Sequence, residues 1–209
     1  MNILIFGASG ATGRHLVAQA IEQGFHVTAF VRNPGKLTLK HSRLRVVLGN
    51  VTNYGLVKKT VKGHDVVFSA LGASSPFKYD ECIAYGVQNI VRSMEESYVD
   101  RLISMSFIGV KESRPQGGFV IKYIAPVLLH TEIKLHQEIE YLIKRSALNW
   151  TIIRPSTLSN GPHSGVYRIG EYVSATTPVS LISRADVADL MIRQVKDSSY
   201  IRTAPAIMY

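Results

Sequence analysis

The chain has 209 residues, 46% of them hydrophobic, and a formal net charge of +9, enough apolar material for one sizeable domain. Its longest apolar stretch, Phe119 to Leu129, carries Lys122 and Pro126 and is too short to span a bilayer, and one cysteine, Cys82, excludes an internal disulfide. The cations are spread along the chain without a nucleic-acid-binding motif, so nucleic acid is not the expected partner.

An apolar run, Asn2 to Phe6, reads as a buried strand. No signal peptide is expected ahead of it, and a reducing cytoplasm is the expected setting. Glycines follow at positions 7, 10 and 13, and Arg14 to Ile21 has the spacing of an amphipathic helix. A strand that turns through glycines into a helix is the context a dinucleotide site requires: the pyrophosphate sits on unpaired N–H groups at the helix N-terminus. Gly7, Gly10 and Gly13 can serve, in order, the sharp bend, the ligand's approach and the contact between helix and strand. Gly7, Ala8, Ser9, Gly10, Ala11, Thr12, Gly13 and Arg14 are therefore candidate cofactor contacts.

The second strand, His26 to Arg32, ends in arginine where an NAD-selective site usually has a carboxylate for the ribose hydroxyls. A guanidinium there can hold a 2′-phosphate bidentately, with Arg14 as a second charge, so NADP(H) is expected over NAD(H); the alternative is a solvated strand-end charge. No carboxylate occurs between Glu22 and Asp65, while eight Lys and Arg residues do, Lys36 among them. Asn50, after the third strand, can bond the adenine or merely hold a turn.

Further strands are expected near 44–48, 65–70, 101–105 and 150–154, with a last one around 200–207. Helical patterns cover Tyr79 to Ser97, Thr131 to Ser146 and Val187 to Val195, the last opened by a capping box, Ser183-Arg184-Ala185-Asp186. Strands alternating with helices give an α/β fold: a Rossmann-type doubly wound parallel sheet with helices on both faces. Residues 1–209 are expected as one such domain, about 156–182 and 197–209 contributing a small C-terminal substrate lobe.

These features resemble the atypical short-chain dehydrogenase/reductases of the NmrA-like, NAD(P)H-binding type, which include biliverdin-IXβ/flavin reductase-like proteins. The resemblance covers nearly the whole chain. It is carried by residues 7–13, by Phe30-Val-Arg-Asn-Pro34, by Gly49-Asn-Val-Thr52 (where the family more often has Asp at position 50) and by Ser69-Ala-Leu-Gly72. Ser146 to Pro155 and Ile182 to Ala188 add to it. The resemblance implies that Ala70, Leu71 and Gly72 line the adenosine and ribose side. It also implies that the turn Pro155-Ser156-Thr157-Leu158 presents backbone groups to the nicotinamide carboxamide.

Typical short-chain dehydrogenases protonate the developing alkoxide with a Tyr-x-x-x-Lys pair. Here that spacing occurs only at Tyr54 and Lys58, after the third strand and far from the expected nicotinamide; alignment on the Ser146 to Pro155 block puts Glu132 and His136 at the two positions. His136 is a candidate proton donor or phosphate contact, or else a partly exposed helix histidine. Ser106 takes the place of the family's catalytic-loop serine, as an acceptor contact or an ordinary loop residue. Without the pair, a planar acceptor whose reduced form delocalises its charge, such as a flavin, a quinone or a tetrapyrrole, fits better than a ketone or secondary alcohol. No metal-ligand spacing appears.

Residues 117–129 form an apolar insertion that starts with paired glycines. It reads as a lid, or as core or a subunit interface. The leading expectation is an NADPH-dependent reductase of a small planar acceptor, monomeric or homodimeric. The alternative is a non-catalytic NADP(H)-binding redox sensor. A nucleotide-sugar or isoflavone-type enzyme fits less well, because the chain is short and the usual lysine is not apparent.

Overall fold

The computed structural model describes residues 1–73, 79–110 and 112–209. Strands β1 (Asn2–Phe6), β2 (His26–Val31), β3 (Leu44–Leu48), β4 (Val66–Ser69), β5 (Arg101–Met105) and β6 (Asn149–Pro155) alternate with helices α1 (Ala11–Glu22), α2 (Tyr54–Val61), α3 (Glu81–Glu96), α4 (Ala125–Leu128) and α5 (His130–Lys144). A 3-10 turn, Pro34–Lys36, follows β2, and a π-helical turn, Val120–Ile124, leads into α4. Strands β7 (Thr157–Ser159), β8 (Arg168–Gly170) and β9 (Leu181–Ser183), helix α6 (Arg184–Arg193) and strand β10 (Ala206–Met208) complete the chain.

The main sheet runs β3-β2-β1-β4-β5-β6-β10-β8, parallel except where β8 meets β10; β7 and β9 pair separately. The doubly wound parallel architecture expected from the sequence is therefore present. Period-two side chains divide the core into two layers. Ile3 and Ile5 of β1 pack with Leu16, Val17 and Ala20 of α1 and with Val187 and Met191 of α6. Leu4 and Phe6 face the other way, onto Val57 of α2, Ile90 of α3 and Ile139 of α5. The strand order reverses at β1 and β4, which opens a crevice beyond their C-terminal ends.

Two local expectations are corrected. The last strand is confined to Ala206–Met208: Tyr200 to Thr203 form a turn in which Arg202 takes φ +57°, and Pro205 follows. The capping box is half formed. Ser183 Oγ accepts from Asp186 N (3.0 Å), but the Ser183 N–H goes to the Tyr209 hydroxyl (3.2 Å). The buried Asp186 carboxylate instead accepts from Ser164 N, Gly165 N, Ser183 Oγ and Tyr209 Oη, tying three segments together.

Candidate functional site

The first half of the crevice is built from backbone. Gly7 has φ +77°, and a Cβ there would lie 2.4 Å from the Ala70 carbonyl oxygen on the neighbouring strand end. At Gly13 a Cβ would meet the Gly7 oxygen at 2.1 Å. Gly10 is the N-cap of α1, with no side chain capping the helix and no acidic residue in its first turn. The first-turn N–H groups and the positive end of the helix dipole are thus left for a ligand anion, in a cradle that a Cβ would fill.

A groove of about 190 Å³ extends from this cradle, lined by Gly7, Ser9, Gly10, Phe30, Val31, Arg32, Lys36, Asn50, Val51, Ala70, Leu71, Gly72, Cys82 and Ile83. Of the sequence candidates, Ala8, Thr12 and Gly13 are buried behind it and Ala11 is exposed outside it. Arg14 donates to the Ser9 carbonyl (3.2 Å) and is not part of the lining. The second cation beside Arg32 is Lys36 instead. It is carried inward by the Pro34–Lys36 turn, which Asn33 caps by accepting from Gly35 N. Asn50 holds a turn through Oδ1, which accepts from Thr52 N (3.1 Å), and so its amide NH2 is left for the groove.

At Gly72, where an added Cβ would meet nothing within 4 Å, the groove adjoins a second cavity of about 430 Å³. Its walls are apolar: Met105, Phe107, Val120, Ile121, Ile124, Ala125, Leu128, Leu129 and Leu158. Its polar members are Ser106, Glu132, His136, Ser156, Thr157 and Arg184. The insertion at 117–129 is its roof. Ile121 and Ala125 pack inward against Ile108 and Met208, while Phe119, Tyr123 and Val127 are 57%, 57% and 74% exposed. The glycine pair serves close packing, since a Cβ at Gly118 would lie 2.7 Å from the Thr177 oxygen.

His136 is buried, which corrects the expectation of a partly exposed helix residue. Burial pushes its imidazole down to about 4, so it is neutral at physiological pH, and Nδ1 has no hydrogen-bond partner. Burial raises the Glu132 carboxyl above its ordinary value. The Ser106 hydroxyl donates to Glu140 Oε1 (2.7 Å). Arg154 clasps that same carboxylate with Nε (2.9 Å) and Nη2 (2.5 Å) and also reaches Glu112 (2.7 Å). Burial opposes ionisation of Glu140, but Arg154 and Ser106 outweigh it and hold the carboxyl below its usual range. At the Pro155 turn the Ser156 and Thr157 N–H groups are engaged by Ile207 O and Ser180 O. The buried Ser156 hydroxyl there has no partner among the described residues. The Tyr54 and Lys58 pair lies on the α2 surface, bound to Glu96.

Fold and cradle define a Rossmann-type dinucleotide-binding protein. An NAD(P)H-binding family model matches residues 7–198, and the chain belongs to that family. It is 29% identical over 174 residues to a chloroplastic protein of Arabidopsis thaliana, covering 78% of this chain and 61% of that one. It is 23% identical over 210 residues to the (4-alkanoyl-5-oxo-2,5-dihydrofuran-3-yl)methyl phosphate reductase of Streptomyces griseus, covering 98% and 67%. To the photosystem II assembly factor Ycf39 of Synechocystis it is 24% identical over 221 residues, covering 99% and 62%. The chain thus spans about three fifths to two thirds of the length of these relatives. A short-chain dehydrogenase/reductase from Veillonella parvula, solved with NADP, shares the fold at TM-score 0.82 and 22% identity, over 99% of this chain and 93% of that one. Among the described residues no helix is long and apolar enough to cross a membrane.

Proposed function

We propose that the chain is an NADPH-dependent reductase that passes hydride to a small planar acceptor of the flavin or quinone kind. The observation that carries this reading is the junction at Gly72 between the cation-flanked glycine groove and the apolar cavity. In this reading the groove takes the dinucleotide: the α1 N-terminus holds the pyrophosphate, Arg32 and Lys36 the 2′-phosphate, and Asn50 the adenine, with Ala70, Leu71 and Gly72 beside the ribose. Pro155, Ser156 and Thr157 border the nicotinamide, with residues 156–182 and 197–209 contributing to the acceptor side. Reduced nicotinamide supplies the hydride. The protein supplies proximity, orientation and a wall that excludes water.

Two comparisons support a reductase without naming its substrate: the S. griseus relative is named for reducing a conjugated ring compound, and the V. parvula structure contains NADP. A second reading, a non-catalytic NADP(H) sensor, draws support from the assembly-factor name of the Ycf39 relative and from the commitment of the Ser106 proton to Glu140. The deciding experiment titrates NADPH and NADH calorimetrically and then follows cofactor oxidation with FMN, FAD and menadione. Tight NADPH binding with saturable turnover supports the reductase; tight binding without turnover over the panel gives the sensor.

A further inference from the structure

We propose that Glu132 is the proton donor of the apolar cavity, giving its carboxyl proton to an oxygen or nitrogen of the acceptor as hydride reaches the acceptor's conjugated ring. The inference rests on the reductase reading and adds a residue to it. Among the described residues lining the cavity, six side chains carry exchangeable protons: Ser106, Glu132, His136, Ser156, Thr157 and Arg184. The Ser106 proton is held by Glu140. Ser156 and Thr157 are aliphatic alcohols, far too weakly acidic to protonate a delocalised anion, and a guanidinium does not deprotonate in a protein. His136 is buried and uncharged at neutral pH, so its N–H is a weak acid.

Glu132 differs from these in two ways. Its side chain is 31% exposed, so water can return a proton to it, while the cavity it lines has mostly apolar walls. No cation pairs with it among the described residues, the nearest approach being the neutral His136 Nε2 at 4.0 Å, one turn along α5. The charged or titratable groups facing it across the cavity are His136 from α5 and Arg184 from α6, and Arg184 is held by Asn160 Oδ1 at 2.6 Å. The lining residues of the π-helical turn, α4, the β5 end and the Pro155 turn are all uncharged. Burial already disfavours the carboxylate, and an acceptor that displaces cavity water disfavours it further, so filling the cavity shifts Glu132 toward its protonated form.

The step balances as follows. Reduced nicotinamide gives up a hydride, with its electron pair, to the acceptor ring and is oxidised. The O–H bond of Glu132 breaks as a new bond forms between that proton and the acceptor heteroatom, so the acceptor gains two electrons and two hydrogens. Water then reprotonates the carboxylate. A carboxyl is a stronger acid than a phenol-type oxygen, so its proton passes downhill to the oxygen of a reduced quinone, which fits the acceptor class proposed above.

The test combines a titration that needs no turnover with kinetics. Carbon NMR of the glutamate-labelled protein, with the Glu132 signal identified as the one missing in Glu132→Gln, should show a titration midpoint above the ordinary glutamate value of about 4.3. With menadione or FMN, Glu132→Gln should lower kcat about 10²-fold, leave NADPH affinity unchanged and abolish the alkaline fall of the wild-type kcat profile; Glu132→Asp should restore part of kcat. A midpoint at or below the ordinary value overturns the proposal. So does an unchanged kcat and pH profile in Glu132→Gln when the wild type turns over. If the wild type binds NADPH but reduces no acceptor, the reductase reading falls first and the proton-donor role falls with it.

Discussion

Replacing Arg32 by alanine tests the proposed 2′-phosphate assignment, because NADPH and NADH differ only in that phosphate. Arg32 and Lys36 line the groove together, and neither has an ion-pair partner among the described residues, so no ion pair there is lost on truncation. A hydrogen bond to a charged group contributes about 1.5–3 kcal/mol. Arg32 is exposed, so screening by solvent and salt favours the lower end of that range. About 1.4 kcal/mol corresponds to a tenfold change in affinity; Arg32→Ala should therefore weaken NADPH about tenfold and NADH less than twofold. Lys36→Ala should act in the same direction but less, since an ammonium lacks the bidentate fork. Calorimetric titration of both cofactors at low and at physiological salt measures this, and the NADPH deficit should shrink as salt rises. Equal weakening of the two cofactors by Arg32→Ala would sink the assignment, leaving Arg32 a surface charge.

Two glycines separate fold from function. Gly13→Ala sets a methyl 2.1 Å from the Gly7 carbonyl oxygen, where only backbone can yield; it should lower stability by about 3 kcal/mol in chemical denaturation and cut NADPH affinity. Gly72→Ala adds a methyl in open space at the groove junction, so stability should hold within about 0.5 kcal/mol while turnover falls. Glu140→Gln weakens one side of the clasp on buried Arg154 and should cost about 3 kcal/mol in urea titration, at the low end because Glu112 stays 2.7 Å from the same guanidinium; a loss below 1 kcal/mol would contradict the buried-pair argument. Cys82, the single cysteine, borders the groove and is exposed, so saturating NADPH should slow its alkylation by iodoacetamide, and equal rates would place the cofactor elsewhere.

What could be read from the sequence was what local chemistry dictates. The Gly7 to Gly13 spacing, the hydrophobic runs and the parallel order follow from backbone sterics and strand alternation, and each appears in the structure. Lys36 was visible as a cation, yet its place in the groove depends on the Asn33-capped turn and on the burial of Leu37. The roof of the cavity escaped periodicity because a π-helical turn precedes Pro126, whose missing N–H and bulky ring loosen the turn before it. Burial of His136 was hidden for a different reason: the residues that enclose the cavity around it come from β5, β6 and the 120–129 segment, far apart along the chain.

The placement of paired charge keeps the cavity largely apolar. Arg154, Glu140, Glu112 and Lys144 pair with one another, and of these four none lines the cavity. Among the described residues lining the cavity, Ser106 is hydrogen-bonded to the network, its hydrogen drawn toward Glu140. With that hydrogen taken, the lone pairs of Ser106 are what remain for a ligand, and in the proposed reading they would accept from an N–H or O–H of the acceptor. Glu132, when protonated, offers the opposite polarity from α5. A planar molecule with a ring N–H on one edge and a basic oxygen or nitrogen on another satisfies both, whereas a hydrocarbon of the same shape leaves the Glu132 and Ser106 groups without partners and is disfavoured for that reason.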